Sequence, residues 1–181
     1  MHGALQLSLL FFLALLGGGA FLGYHASQRT ATWERLDRVI AERFPELPEI
    51  DVASLDQWLA DPAREPPGIL DARSPEEFAI SRLPGAQWVG SDRESAQRVS
   101  SHELPPEVIV YSAADPRSAI IVRDLRAAGI DARMLRHGIF AWANADLPLE
   151  NDAGAASGVH RGNTAMQRLL REDLRIRPDS R

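Results

Sequence analysis

The sequence predicts an α/β domain over residues 48–150, set behind a long apolar N-terminal segment. Three observations carry that reading. Short apolar runs alternate with amphipathic stretches from residue 48 onward, the pattern of strands interleaved with helices. Glu107–Tyr111 (EVIVY) is apolar enough to be a central strand covered on both faces. Ser74-Pro75-Glu76-Glu77 follows directly on the strand-like Gly68–Asp71; it combines a capping serine, a first-turn proline and acids at the positive end of a helix dipole.

The elements follow in chain order. Residues 4–23 (ALQLSLLFFLALLGGGAFLG) hold 20 positions without a formal charge, and the first charged side chain is Arg29. At about 1.5 Å per residue, a helix of that length matches the ~30 Å hydrocarbon core. The segment is therefore expected to be a membrane anchor, with residues 1–28 as its unit. The alternative is a cleaved signal peptide ending near Gly18-Gly19-Ala20, although the positive flank such peptides carry is missing. Arg29, Arg35 and Arg38 lie on the C-terminal side and no Arg lies on the other. The positive-inside rule then favours a cytoplasmic domain, whereas a signal peptide would make it periplasmic or secreted.

Residues 29–47 form the juxtamembrane unit. A helix over 30–44 puts Trp33, Leu36, Val39, Ile40 and Phe44 on one side, and Pro45 and Pro48 end it. Within the domain the expectations are a strand at Ile50–Val52, a helix capped by Ser54 through Leu55, Trp58 and Leu59, and a strand at Gly68–Asp71. The helix opened by Ser74 comes next, then a Pro84-Gly85 turn into a strand at 86–89 and a polar helix at 91–102. A strand at Glu107–Tyr111, a helix at Arg117–Ala128 closed by Gly129, a strand at Ile130–Leu135 and a helical turn through Phe140 and Trp142 complete the domain. Residues 151–181 open with a Gly-, Ala- and Asn-rich stretch and read as a flexible tail with a short helix at 164–176. From His160 onward this tail carries net +3, against −8 for the rest. It is either solvated or in contact with anionic headgroups.

Composition excludes several functions. The chain of 181 residues has no cysteine and no lysine, its 20 basic residues all being Arg. Thiolate nucleophiles, disulfides, Schiff-base lysines and a P-loop lysine are ruled out. With five His and no Cys, neither a metal nor a cofactor is expected. The acidic domain lacks a basic, aromatic groove, so nucleic acid is not an expected partner. Trp58, Trp88 and Trp142 read as packing residues.

Three segments together resemble the rhodanese homology domains. They are Ile69-Leu-Asp71-Ala-Arg73-Ser-Pro-Glu-Glu77-Phe78; Leu83-Pro84-Gly85-Ala86, with Arg82 where the family usually has His; and Val108-Ile-Val-Tyr-Ser112-Ala-Ala-Asp-Pro-Arg117-Ser118, followed by Leu125, Ala128-Gly129 and His137-Gly138-Ile139-x-x-Trp142. The match runs in the right order over roughly 100 residues. It implies a five-stranded parallel sheet with helices on both faces and an active loop at the carboxyl ends of the strands. In the family a Cys in that loop accepts sulfur as a persulfide; here Ser112 occupies the position. A thiol titrates near pH 8.5 and is brought lower by such a loop, whereas an alcohol stays protonated. Sulfur transfer by this chain alone is therefore excluded.

The degenerate site consists of Ser112, Arg117 and Ser118. Ala113, Ala114, Asp115, Arg117 and Ser118 can offer amides to an anion, but Pro116 cannot. Arg117 is either a residual anion contact or an internal ion-pair partner of Asp115. The expected role is a non-catalytic binding or scaffolding module whose protein or small-anion ligand meets the rim at 112–118 and 137–138. The enzymatic alternative is a hydrolase or phosphatase-like site built from Ser112, His137 and Asp71, which the fold would bring to one sheet edge.

Overall fold

In the computed structural model, residues 33–90, 104–162 and 166–177 are described. The expected anchor at 4–23 and the expected polar helix at 91–102 lie outside these residues. Among the described residues, no helix is long and apolar enough to cross a membrane.

Helix α1 covers residues 33–43 and stops before Pro45, whose ring and missing N–H cannot continue it. Leu36 and Ile40, one turn apart, are its buried positions. Strand β1 is Glu49–Ile50, shorter than the expected Ile50–Val52 because Asp51 takes over as helix cap. The Asp51 carboxylate accepts from the Ser54 amide at 2.8 Å and from its hydroxyl at 3.1 Å. Helix α2 (Val52–Ala60) therefore begins two residues before Ser54, which is not the cap. Strand β2 (Gly68–Asp71) and helix α3 (Pro75–Ile80) have the expected bounds at their junction, and α3 opens with a reciprocal capping box between Ser74 and Glu77.

Strand β3 is Gln87–Trp88, strand β4 is Glu107–Tyr111, helix α4 is Arg117–Ala127, strand β5 is Asp131–Leu135 and helix α5 is Gly138–Asn144. The five strands form one sheet in the order β1-β5-β4-β2-β3, and all pairs are parallel. Val108, Ile109, Val110 and Tyr111 are fully buried. Since successive side chains face opposite sides, β4 is covered on both. Helix α4 packs back onto β4 and β5, and Gly129, at φ +87°, ends it. Trp58 and Trp142 are buried, but Trp88 is 44 % exposed and is not a core residue; its indole N–H is held by the Arg73 carbonyl at 2.9 Å.

The described part of the C-terminal segment departs from the expected loose tail. Glu150–Asn151 (β6) and Gly154–Ala155 (β7) pair as an antiparallel hairpin, and Val159–His160 (β8) pairs in parallel with Arg175–Ile176 (β9). Two 3-10 turns, at Gln167–Leu169 and Glu172–Leu174, stand where a short helix was expected. Val159, Leu169 and Leu170 are buried. Asn144 ties the segment down by donating to the Leu169 carbonyl at 2.7 Å and accepting from the Arg171 amide at 2.9 Å. Arg171 pairs with Asp146 and Asp173 at 2.8 and 2.7 Å, so its charge is answered within the fold.

Candidate functional site

Ser112 follows β4 at the carboxyl edge of the sheet and opens the loop to α4. The loop is held from behind by α5, whose Ile139 and Phe140 amides donate to the Ser112 and Ala113 carbonyls at 3.0 and 3.2 Å. Gly138, at φ +57°, permits that approach. A Cβ there would collide with the Ser112 carbonyl and come within 2.6 Å of the Ala113 carbonyl oxygen. The preceding His137 also sits in the left-handed region, at φ +64°. Ser112 is 1 % exposed. Its hydroxyl donates to the Asp115 carbonyl at 2.8 Å and lies 3.2 Å from the Ser118 hydroxyl.

Arg117 is gripped by two carboxylates. Its Nε and Nη2 donate to Asp115 at 2.9 and 2.8 Å, and its Nη1 donates to Glu77 Oε2 at 2.9 Å. Its backbone amide also donates to Asp115 Oδ1, at 3.0 Å. Burial alone would lower the Arg117 pKa, but these hydrogen bonds and charges raise it above the usual range. Burial works to raise the Glu77 pKa, yet hydrogen bonds from Arg117 and the Ser74 amide, with the nearby Arg charges, bring it below the usual carboxylate range.

In front of this pair lies a cavity of about 460 Å³ whose lining includes Ala113, Asp115, Pro116, Arg117, Glu77, Phe140, His160 and Met166. His160 comes from the C-terminal segment. Burial pushes its pKa below the ordinary value, and its Nδ1 accepts from the Gly162 amide at 3.1 Å. The ring is therefore neutral near pH 7, with its proton on Nε2.

Asp71 belongs to a different structure. Fully buried at the end of β2, it accepts from Arg73 Nη2 and from the Tyr111 hydroxyl, both at 2.6 Å. The Tyr111 oxygen accepts from the Leu83 amide at 3.2 Å, and Arg73 Nη2 reaches the Ser81 carbonyl at 2.5 Å. Burial, and then the Asp71 charge, hold the Tyr111 pKa well above its ordinary value, so the phenol remains a donor. This network joins the ends of β2 and β4 to the turn before β3.

His137 lines a small pocket together with Ser112, Asp115, Ser118 and Asp37. Its Nε2 is 2.8 Å from Asp37 on α1, and Arg136 reaches the other Asp37 oxygen at 2.7 Å. The fold thus brings Ser112, Arg117 and Ser118 together with the amide-bearing residues 113–115. Asp71 is held by Arg73 and Tyr111, apart from the loop, the Ser112 hydroxyl bonds the Asp115 carbonyl beside Ser118, and His137 Nε2 meets Asp37. Sequence reasoning missed Asp37, Phe140, His160 and Met166. Only Glu77 left a legible trace, in its capping box, and its hold on Arg117 lay beyond that.

Fold and loop together define a parallel α/β domain with its candidate site at the carboxyl ends of the strands. Residues 51–145 match the family model described as Rhodanese-like domain. That is more than half of the chain, and the chain belongs to this family. Its fold is similar to that of a thiosulfate sulfurtransferase from Pseudomonas aeruginosa, with 31 % identity, 68 % of this chain covered and a TM-score of 0.54. This chain spans only 23 % of that enzyme's length. It is also similar to the rhodanese-like domain of the Alr3790 protein from Anabaena sp., at 28 % identity over 57 % of this chain and 79 % of that one, with a TM-score of 0.50. The BH2092 protein from Bacillus halodurans shares the fold at 18 % identity and a TM-score of 0.53, over 74 % of this chain and 97 % of its own. A comparison with curated proteins gives no match.

Proposed function

We propose that this chain is a non-catalytic rhodanese-like module, held at a membrane by residues 4–23 with its domain on the cytoplasmic side, and that it receives a partner protein at the rim of the 112–118 loop. The observation that carries the reading is Ser112 in a chain without cysteine. A persulfide requires a thiolate that takes up a sulfur atom and releases it again. An alcohol oxygen is not deprotonated by this loop and does not hold a transferable sulfane sulfur. The surrounding chemistry agrees: the Arg that would face an anionic substrate is paired with Asp115 and Glu77.

Hydrolysis is the weaker reading. A serine nucleophile needs a base to receive its proton, but the Ser112 hydroxyl donates to the Asp115 backbone carbonyl and lies beside the Ser118 hydroxyl.

The purified full chain in detergent is expected to show no thiosulfate:cyanide sulfur transfer above a buffer blank, and no labelling of Ser112 by a fluorophosphonate. Turnover would overturn the non-catalytic reading, and stoichiometric labelling would establish the hydrolase instead. C-terminal reporter fusions, one active only in the cytoplasm and one only in the periplasm, test the anchor and its orientation. A released or periplasmic reporter would replace that half of the proposal with the signal-peptide alternative.

A further inference from the structure

Arg117 projects five N–H donors from a guanidinium that stays charged. Its Nε and Nη2 meet Asp115, and both Nη atoms meet Glu77, at 2.8–3.4 Å. The Arg117 amide, at the start of α4, is taken by the same Asp115 carboxylate at 3.0 Å. Asp115 also lines the 460 Å³ cavity in front of the loop. A side-chain carboxylate thus makes, from within the loop, the contacts that an incoming oxyanion would make with Arg117. The rest of the lining adds little positive charge: Ala113, Pro116, Phe140 and Met166 are apolar, Ser74 and Gly162 are uncharged, Glu77 is acidic, and burial pushes the His160 pKa below its ordinary value.

We infer that the Asp115 carboxylate is the resident anion of this loop, and that it closes the Arg117 site to free oxyanions such as sulfate and thiosulfate. This inference rests on the reading of the loop as non-catalytic and adds a reason beyond the missing thiol. Two independent changes disable the loop: Ser112 removes the sulfur carrier, and Asp115 fills the place of the charged substrate. Removing Asp115 frees three guanidinium contacts and one amide at once, while Glu77 still anchors Arg117 from α3. The site that results is one guanidinium face and one backbone N–H opening onto a cavity large enough for a tetrahedral anion.

The test is an amide chemical-shift titration of the full chain in detergent with sodium sulfate and sodium thiosulfate at constant ionic strength, read at the Arg117 and Ser118 amides. Asp115→Ala is expected to bind either anion at least tenfold more tightly than the unaltered chain, and Asp115→Asn to fall between them. Asp124→Ala changes the net charge equally from an exposed pair with Arg123 on the same helix, and is expected to leave the affinity unchanged. The inference is overturned if folded Asp115→Ala or Asp115→Asn binds no more tightly than the unaltered chain. It is also overturned if Asp124→Ala raises affinity as much as they do.

A second arm separates this result from the sulfur chemistry. In the double variant Ser112→Cys/Asp115→Ala, the thiolate introduced at position 112 attacks the sulfane sulfur of thiosulfate. A new S–S bond forms as the old one breaks, and sulfite departs with the bonding electron pair. Cyanide then takes the outer sulfur as thiocyanate and returns the thiolate. The double variant is expected to exceed Ser112→Cys at least tenfold in this turnover, and equal rates would overturn the inference. Turnover by the unaltered chain would sink only the non-catalytic reading, so the two failures are distinguishable.

Discussion

Replacing Asp71 by Asn is the sharpest test of whether this residue braces the fold. The substitution keeps the size of the side chain and one acceptor oxygen, and it removes the charge. Arg73 is fully buried and remains cationic: burial works to lower its pKa, but Asp71 beside it raises it. Breaking a buried pair by neutralising one member costs about 3–5 kcal/mol, because the other charge is left without its counterpart. Folded domains have only about 5–15 kcal/mol in total. At roughly 2–4 °C per kcal/mol for a chain of this size, the melting temperature should fall by about 6–20 °C. Asp37→Asn supplies the internal comparison. Asp37 pairs with Arg136 and His137, but the Asp37 and Arg136 side chains are 34 % and 48 % exposed, so its loss should cost less than about 1 kcal/mol. Thermal unfolding followed by near-UV circular dichroism on the full chain reads both variants. A loss for Asp71→Asn below about 1 kcal/mol, or equal to that of Asp37→Asn, would refute the assignment of the Asp71-Arg73-Tyr111 network as the brace.

Gly138→Ala should destabilise the domain by about 2–5 kcal/mol, from roughly 1–2 kcal/mol for an alanine in the left-handed region and about 1–3 kcal/mol for overpacking; a chemical denaturation midpoint within error of the parent would contradict the close packing of α5 on the loop. Glu77 has its folded pKa held below the ordinary value of about 4.3. Its contribution to stability is therefore complete above that pH and is lost as the pH falls through the folded value; Glu77→Gln should flatten this part of the acid-unfolding curve, and an unchanged curve would count against the Arg117 contact. Deleting residues 157–181 removes three buried apolar side chains, Val159, Leu169 and Leu170, each contributing about 1.5–3 kcal/mol. The truncated chain should lose most of its stability in the same denaturation experiment, and a chain that melts like the parent would show that the segment is not part of the core.

The parts of the fold legible in the sequence are those set by local rules. Ser74-Pro75-Glu76-Glu77 announces α3 because capping and dipole effects act within one turn, and EVIVY announces β4 because a strand buried on both faces tolerates little polarity. Asp51 and Ser54 are both good capping residues, and sequence alone does not say which of them starts the first turn of α2; the structure gives that role to Asp51, with Ser54 as its donor. The C-terminal segment is illegible for a different reason. Its strands are two residues long, too short to show a period, and its core contacts come from isolated apolar residues. The site is legible in composition but not in pairing. Serine at position 112 can be read directly, and Asp115 is already a candidate partner for Arg117. The bonds from Asp37 to His137, from Glu77 to Arg117 and from Arg82 to Asp152 span 100, 40 and 70 positions, and no local pattern encodes them.

Arg82 shows how this fold accommodates a degenerate loop. Its guanidinium bonds Asp152 at 2.8 Å, and its backbone exchanges hydrogen bonds with Glu150 in both directions. Glu150 also accepts from the Gly85 amide at 3.1 Å. The residue in place of the family's usual histidine is therefore a clamp onto the C-terminal segment that supplies His160 and Met166 to the cavity wall. The two tasks of the sheet's carboxyl edge are divided between separate groups. Asp71, Arg73, Tyr111 and the Arg82 clamp hold the edge through buried or multiply bonded contacts, while Ser112 and Asp115 sit in the loop itself. Ser112 fits because its hydroxyl has a carbonyl to bond, and Asp115 fits because it satisfies Arg117. Serine at position 112 and aspartate at 115 leave each of those polar groups partnered, which is why the architecture persists without a cysteine in the loop.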